Sequence, residues 1–98
     1  MKKIMNKKYF LEQTGIFRKD LKRAKKRGLD LNLLSEVVDL LQKGETLPEK
    51  YKDHMLTGNW VGHRECHIQP DWLLIYRIVE DKLILSLVRT GSHSDLKF

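Results

Sequence analysis

Residues 60–76 read WVGHRECHIQPDWLLIY, and they divide into a strand, a turn and a second strand. Gln69-Pro70-Asp71 supplies the turn: proline presets φ, and an aspartate carboxylate accepts from nearby backbone N–H groups. His63–Ile68 is therefore expected as one strand and Trp72–Glu80 as the next, antiparallel to it. Trp72–Val79 is apolar on both faces apart from Arg77, the pattern of a central strand. Asp81-Lys82 fits a two-residue hairpin turn, which makes Leu83–Thr90 the last strand. Gly91 ends the sheet, and Ser92–Phe98 forms a short tail.

Upstream, the hydrophobic period changes from two to near four. Phe17, Leu21 and Ala24 make the buried stripe of a helix over about 15–27, with Thr14 as its N-cap and Gly28 as its stop. Leu33, Leu34, Val37, Val38, Leu40 and Leu41 give a second helix, about 31–43, a wider apolar face. Asp30 caps that helix and Gly44 ends it; the wider face predicts the deeper burial. The short link between the helices predicts an antiparallel helical hairpin. Lys8–Gln13 reads as a short first strand, with Tyr9 and Leu11 on one face and Phe10 on the other. Residues 45–53 read as a loop, and 54–58 as a short strand or bend. The expected architecture is one α+β domain over 1–98, with the N-terminal strand and helical hairpin packed on one face of a small, mainly antiparallel sheet.

The chain has 98 residues, of which 41% are hydrophobic and 33% charged, enough for one modest core. Its longest apolar runs, Trp72–Tyr76 and Leu83–Leu85, are too short to cross a bilayer. The basic start MKKIMNKKYF has no apolar segment after it, which leads us to expect a cytoplasmic protein with no membrane partner. The single cysteine, Cys66, fits a reducing compartment. Charge is uneven. Residues 1–27 hold eleven Lys/Arg against two acids, net +9, and residues 28–98 hold eight against eleven, net −3. Arg18, Lys19, Lys22, Arg23, Lys25, Lys26 and Arg27 cover the first helix outside its stripe. Charge alone leaves a nucleic-acid surface and a solubilising helix face equally open.

Alternation along the strands sorts the reactive side chains. His63, Glu65 and His67 share one face; Arg64, Cys66 and Ile68 share the other. Cys66 and His67 therefore cannot pair as nucleophile and base, and Cys66 reads as a small core residue. His63-x-x-x-His67 has metal-chelating spacing on a helix, but on a strand the two stand about 13 Å apart, at about 3.3 Å per residue. A site of His67, Asp71 and His93 is the remaining metal option, although uncoordinated histidines are commoner. The antiparallel order carries His67, Asp71, Trp72 and His93 toward one edge of the sheet, and His54 can approach from the preceding loop. Histidine gives and takes protons near neutral pH. Several histidines with one aspartate therefore suit cleavage of RNA by its own 2′-hydroxyl. Trp72 is either a stacking platform for a base or a core aromatic, and periodicity leans to the core.

With these residues in view, the chain resembles the RelE/ParE superfamily of bacterial toxin–antitoxin toxins, and specifically its YafQ-type mRNA interferases. The resemblance rests on Tyr51-Lys52-Asp53-His54 with Leu56-x-Gly58-x-Trp60, on Arg64-Glu65-Cys66-His67-Ile68-x-Pro70-Asp71-Trp72-Leu73-Leu74-Ile75-Tyr76, and on Arg89-Thr90-Gly91-Ser92-His93. It implies a microbial-ribonuclease-like fold and metal-free, cofactor-free cleavage of mRNA in the ribosomal A site, leaving a 2′,3′-cyclic phosphate. Its catalytic set falls on His54, His67, Asp71 and His93, with Trp72 and Arg89 as substrate contacts. The base and acid among the histidines are left open, with His93 favoured as acid. The family motif ends His-x-x-Leu-Phe; here Lys97 holds that last place and Phe98, a further substrate contact, comes one residue late. The resemblance also implies that the basic helix docks on ribosomal RNA, that a cognate antitoxin neutralises the protein, and that operator DNA is bound only through the antitoxin complex. The alternatives are a non-catalytic gyrase poison of ParE type, a small nucleic-acid-binding module and an inactive homologue.

Overall fold

A computed structural model describes residues 7–96 of the chain. The elements run β1 (Phe10–Gln13), α1 (Gly15–Lys26), α2 (Leu31–Gln42), β2 (His54–Met55), β3 (Arg64–Gln69), β4 (Trp72–Val79), β5 (Ile84–Gly91) and α3 (His93–Leu96). Single 3₁₀ turns lie at Glu49–Tyr51, Gly58–Trp60 and Glu80–Lys82. The strands form one sheet in the order β1-β5-β4-β3-β2. Only β1–β5 is parallel; the other pairs are antiparallel. This is the α+β arrangement expected, with β4 at the centre.

Local chemistry accounts for the helix ends. The Thr14 hydroxyl accepts the Phe17 N–H at 2.9 Å and donates to the Val88 carbonyl at 2.8 Å, so one cap also ties α1 to β5. Asp30 Oδ1 accepts the Asn32 N–H at 3.0 Å. Gly28, at φ 79°, takes the left-handed turn that separates the two helices. Arg23, Lys25 and Lys26 occupy the last turn of α1, where cations suit the helix dipole. The wider face of α2 does not bury more: Leu34, Val37 and Leu41 are buried, while Leu33, Val38 and Leu40 stay partly open.

Two expectations shift. The first strand begins at Phe10, because the N–H groups of Lys8 and Tyr9 both donate to the Gln42 carbonyl at the end of α2 instead of joining the sheet. Tyr9 turns inward and Phe10 is left 74% exposed. The hairpin after β4 is not a two-residue turn at Asp81-Lys82. Such a turn needs positive φ at both central residues, and neither is Gly or Asn. The chain instead makes the 3₁₀ turn Glu80–Lys82 and places only Leu83 at positive φ, 53°.

Each face of the sheet has its own core. Phe17, Ala24, Leu34, Val37 and Leu41 of the helices pack on Cys66, Ile68, Trp72, Leu74, Tyr76, Leu85 and Leu87. On the opposite face, Leu73, Ile75 and Leu96 form a smaller cluster with Leu56, Trp60 and Val88. No described helix is long and apolar enough to cross a membrane.

Candidate active site

The face without α1 and α2 carries the polar cluster. β2 pairs His54 directly with Glu65, and β3 pairs Glu65 with Ile75 and His67 with Leu73. Cross-strand partners project to the same side of a sheet, so His54, Glu65 and His67 line this open face beside the Leu73–Ile75 cluster. His54 Nε2 lies 3.4 Å from Glu65 Oε1, and His67 Nε2 lies 3.7 Å from the same oxygen. His54 Nδ1 is 2.9 Å from the Lys52 carbonyl. A carbonyl oxygen only accepts, so the proton is on Nδ1. Asp53, the residue before His54, is fixed in turn. Its carboxylate accepts Arg64 Nε and Nη2 at 3.1 and 2.8 Å, and the Tyr76 hydroxyl as well. Burial and this neighbouring carboxylate push the Tyr76 phenol up, so it remains a donor.

His93 opens α3 just past the end of β5. Asp71 Oδ1 accepts from its backbone N–H at 2.9 Å and faces its Nδ1 at 2.6 Å. These two bonds, the backbone one first, hold the Asp71 carboxyl below the usual carboxylate range. A carboxylate at Nδ1 fixes the ring's orientation and leaves Nε2 to meet a substrate. The His67 and His93 ring centroids stand 5.7 Å apart. The segment under His93 is pinned by a reciprocal cap: Asp95 Oδ2 accepts the Ser92 N–H at 2.9 Å, and the Ser92 hydroxyl accepts the Asp95 N–H at 3.0 Å. Arg27, just past α1, grips Asp95 through two nitrogens at 2.6 and 3.2 Å. Arg27 and then the Ser92 N–H hold the Asp95 carboxyl well below its usual range.

Over residues 9–98 the sequence matches the family model described as the bacterial toxin of type II toxin–antitoxin systems, YafQ. The chain belongs to the YafQ toxin family. The mRNA interferase toxin YafQ of Escherichia coli K12 is 46% identical over 87 residues, covering 88% of this chain and 92% of that protein. YafQ in the E. coli DinJ–YafQ toxin–antitoxin complex superposes with a TM-score of 0.83 at 41% identity, over 91% of this chain and 97% of that one. A metal-bound toxin from Helicobacter pylori gives a TM-score of 0.85 at 48% identity, over 90% and 98%.

Set on the YafQ fold, the expected site residues separate. His67, Asp71 and His93 come together at one end of the β3–β4 hairpin, and His54 joins through Glu65. Trp72 does not join them. It is 2% exposed among the helix-side core residues, and its Nε1–H donates to the Thr90 hydroxyl at 2.9 Å. No face of that ring is open to a base. Arg89 is likewise turned away: its Nε and Nη2 meet the buried Asp20 carboxylate at 2.8 and 3.1 Å, so it braces β5 against α1. Phe98 lies outside the described residues. Of the seven basic residues, Arg23 pairs with Asp20 and Arg27 with Asp95, while Arg18, Lys19, Lys22, Lys25 and Lys26 are exposed. Burial pushes the Cys66 thiol up to about 12, an inert core residue. Among the described residues, no group of three His, Cys, Asp or Glu side chains is arranged to hold a metal ion.

Glu65 is the residue that strand alternation placed beside His67 without giving it a part. The missing signal was the partner of β2, since only the His54–Glu65 register brings the second histidine to it.

Proposed function

We propose that this YafQ-family toxin is a ribosome-dependent endoribonuclease that cuts mRNA in the A site by attack of the 2′-hydroxyl on the adjacent phosphate. The observation that carries this reading is the Asp71–His93 pair standing across from His67, with His54 linked to His67 through Glu65. His54 or His67 takes the 2′-OH proton, and the 2′-oxygen bonds to phosphorus. The P–O5′ bond then breaks as His93 Nε2–H gives its proton to the leaving oxygen. The products are a 2′,3′-cyclic phosphate and a 5′-hydroxyl. The cationic rings left around the phosphate offset the charge of the phosphorane. The chemistry calls for no metal. The mRNA interferase activity of the E. coli relative supports the substrate class. The DinJ–YafQ complex supports a cognate antitoxin as partner, and any contact with operator DNA is assigned to that antitoxin complex. The exposed lysines of α1 supply phosphate contacts to ribosomal RNA in the cytoplasm.

The test is mapping of cleavage positions on mRNA with and without ribosomes. Wild type should cut only with ribosomes and leave cyclic phosphate ends, and His93→Ala should lose cleavage by about 10²–10⁴-fold with its fold intact. Equal cleavage by His93→Ala, or growth arrest without any cut, would overturn the reading; the second result would favour a gyrase poison. A chelator should leave cutting unchanged. Loss with EDTA and recovery with zinc would return metal to the site, an arm made decisive by the metal-bound H. pylori relative.

A further inference from the structure

Glu65 lies at the centre of the site, yet the mechanism above gives it no step. It is only 6% exposed, and burying a carboxylate is costly unless a positive charge or donors accompany it. Its companions are two imidazole nitrogens, at 3.4 and 3.7 Å from one oxygen. Those separations are long for direct hydrogen bonds and short for charge pairing. His54 has its Nδ1 committed to the Lys52 carbonyl, so Nε2 is the nitrogen that answers to Glu65.

We propose that Glu65 is a positioning residue that holds His54 and His67 as one unit. Held on one oxygen, the two rings keep a fixed separation and a fixed aim toward the 2′-OH and the scissile phosphate. Without Glu65 the two rings keep their strands but lose their common anchor. The proposal rests on the ribonuclease reading for its kinetic consequence, but the contact can be read without any activity.

The experiment compares wild type with Glu65→Gln and Glu65→Asp, each also checked by thermal unfolding. Imidazole ¹⁵N spectra of the free toxin are recorded alongside kcat and KM for cleavage of ribosome-bound mRNA. Glu65→Gln keeps the shape and removes the charge. Its kcat should fall by about 10²-fold, the scale of a misplaced reacting group, with KM little changed. The ring signals of His54 and His67 should both move, while that of His93, anchored on Asp71, stays in place. Glu65→Asp should recover part of kcat. Wild-type kcat in Glu65→Gln, a rise in KM alone, or unmoved His54 and His67 signals would overturn the proposal. If wild type itself does not cut RNA, the ribonuclease reading fails and the ring signals alone decide on the clamp. If Glu65→Gln does not fold, the ring signals of Glu65→Asp decide: movement of both rings upholds the clamp, and stationary rings sink it.

Discussion

Asp71 bonds both the backbone and the ring of His93, so removing its charge should act on one side chain in two ways. In Asp71→Asn the Nδ1 proton loses its ionic acceptor, and the ring is free to take the other tautomer. Cleavage should drop by about 10²-fold or more, with only a small loss in thermal unfolding because the side chain is exposed. The same segment should be sensitive to acid. Asp71 and Asp95 both titrate below their ordinary values in the folded protein. A carboxyl depressed in this way binds its proton more readily when unfolded. Its contribution is therefore complete above the ordinary range, near pH 4, and is lost as pH falls from there through the folded values. The His93 ring signal should detach from Asp71 over that window, and Asp95→Asn should weaken the tail even at neutral pH. At this scale most of the site was readable. Histidines 54, 67 and 93 and Asp71 stood out by chemistry and by the order of the strands. Trp72 was readable too: it keeps the parity of Ile68, Leu74 and Tyr76 across the turn, and that parity leads to the core. Glu65 escaped because its meaning depends on β2, a strand of two residues with no hydrophobic period to announce its register.

Among elements, β5 and α1 are joined by a polar joint. Asp20, 3% exposed in the middle of α1, accepts from Arg23, from both nitrogens of the Arg89 fork and from the Thr90 N–H. The Thr90 hydroxyl passes the chain on to Trp72 and to the Leu73 carbonyl. Asp20→Ala leaves these donors unpaired and should cost about 3–5 kcal/mol in denaturant unfolding, the scale of a buried ion pair broken from one side. At the end of β5, a Cβ on Gly91 would stand 2.9 Å from the Asp95 Cβ. Gly91→Ala should therefore push Asp95 off its Ser92 cap and lower cleavage while the sheet stays folded. Helices and strands were legible because their periods differ and their caps are ordinary. The joint was not. A register shift between Ile75 and Tyr76 puts Leu87 and Thr90, three apart, on the same side of β5. Nothing in Leu83–Thr90 marks an extra residue, so simple alternation would have placed Thr90 on the wrong face.

Taken whole, the molecule keeps five exposed cations on a helix that lies behind the sheet, and His54 and His67 on the sheet's open face. Replacing Lys19, Lys22, Lys25 and Lys26 by Gln should weaken ribosome association and flatten its dependence on salt, measured by co-sedimentation across a salt series. Unchanged association would return those lysines to mere solubility. Arg23 and Arg27 are left out of that set because each holds an internal carboxylate, and their loss would confound docking with folding. The parallel pairing of β1 with β5 has a consequence in time. Phe10–Gln13 finds its strand partner only in Ile84–Leu87, and Thr14 bonds Val88 across 74 residues. Translation adds about 5–20 residues per second, so for some seconds the nascent chain holds a helical hairpin with no sheet to cover. His93 emerges later still. A ribosome making this chain thus carries an unfinished blade, whose sheet and histidine cluster close only after nearly all of it has emerged.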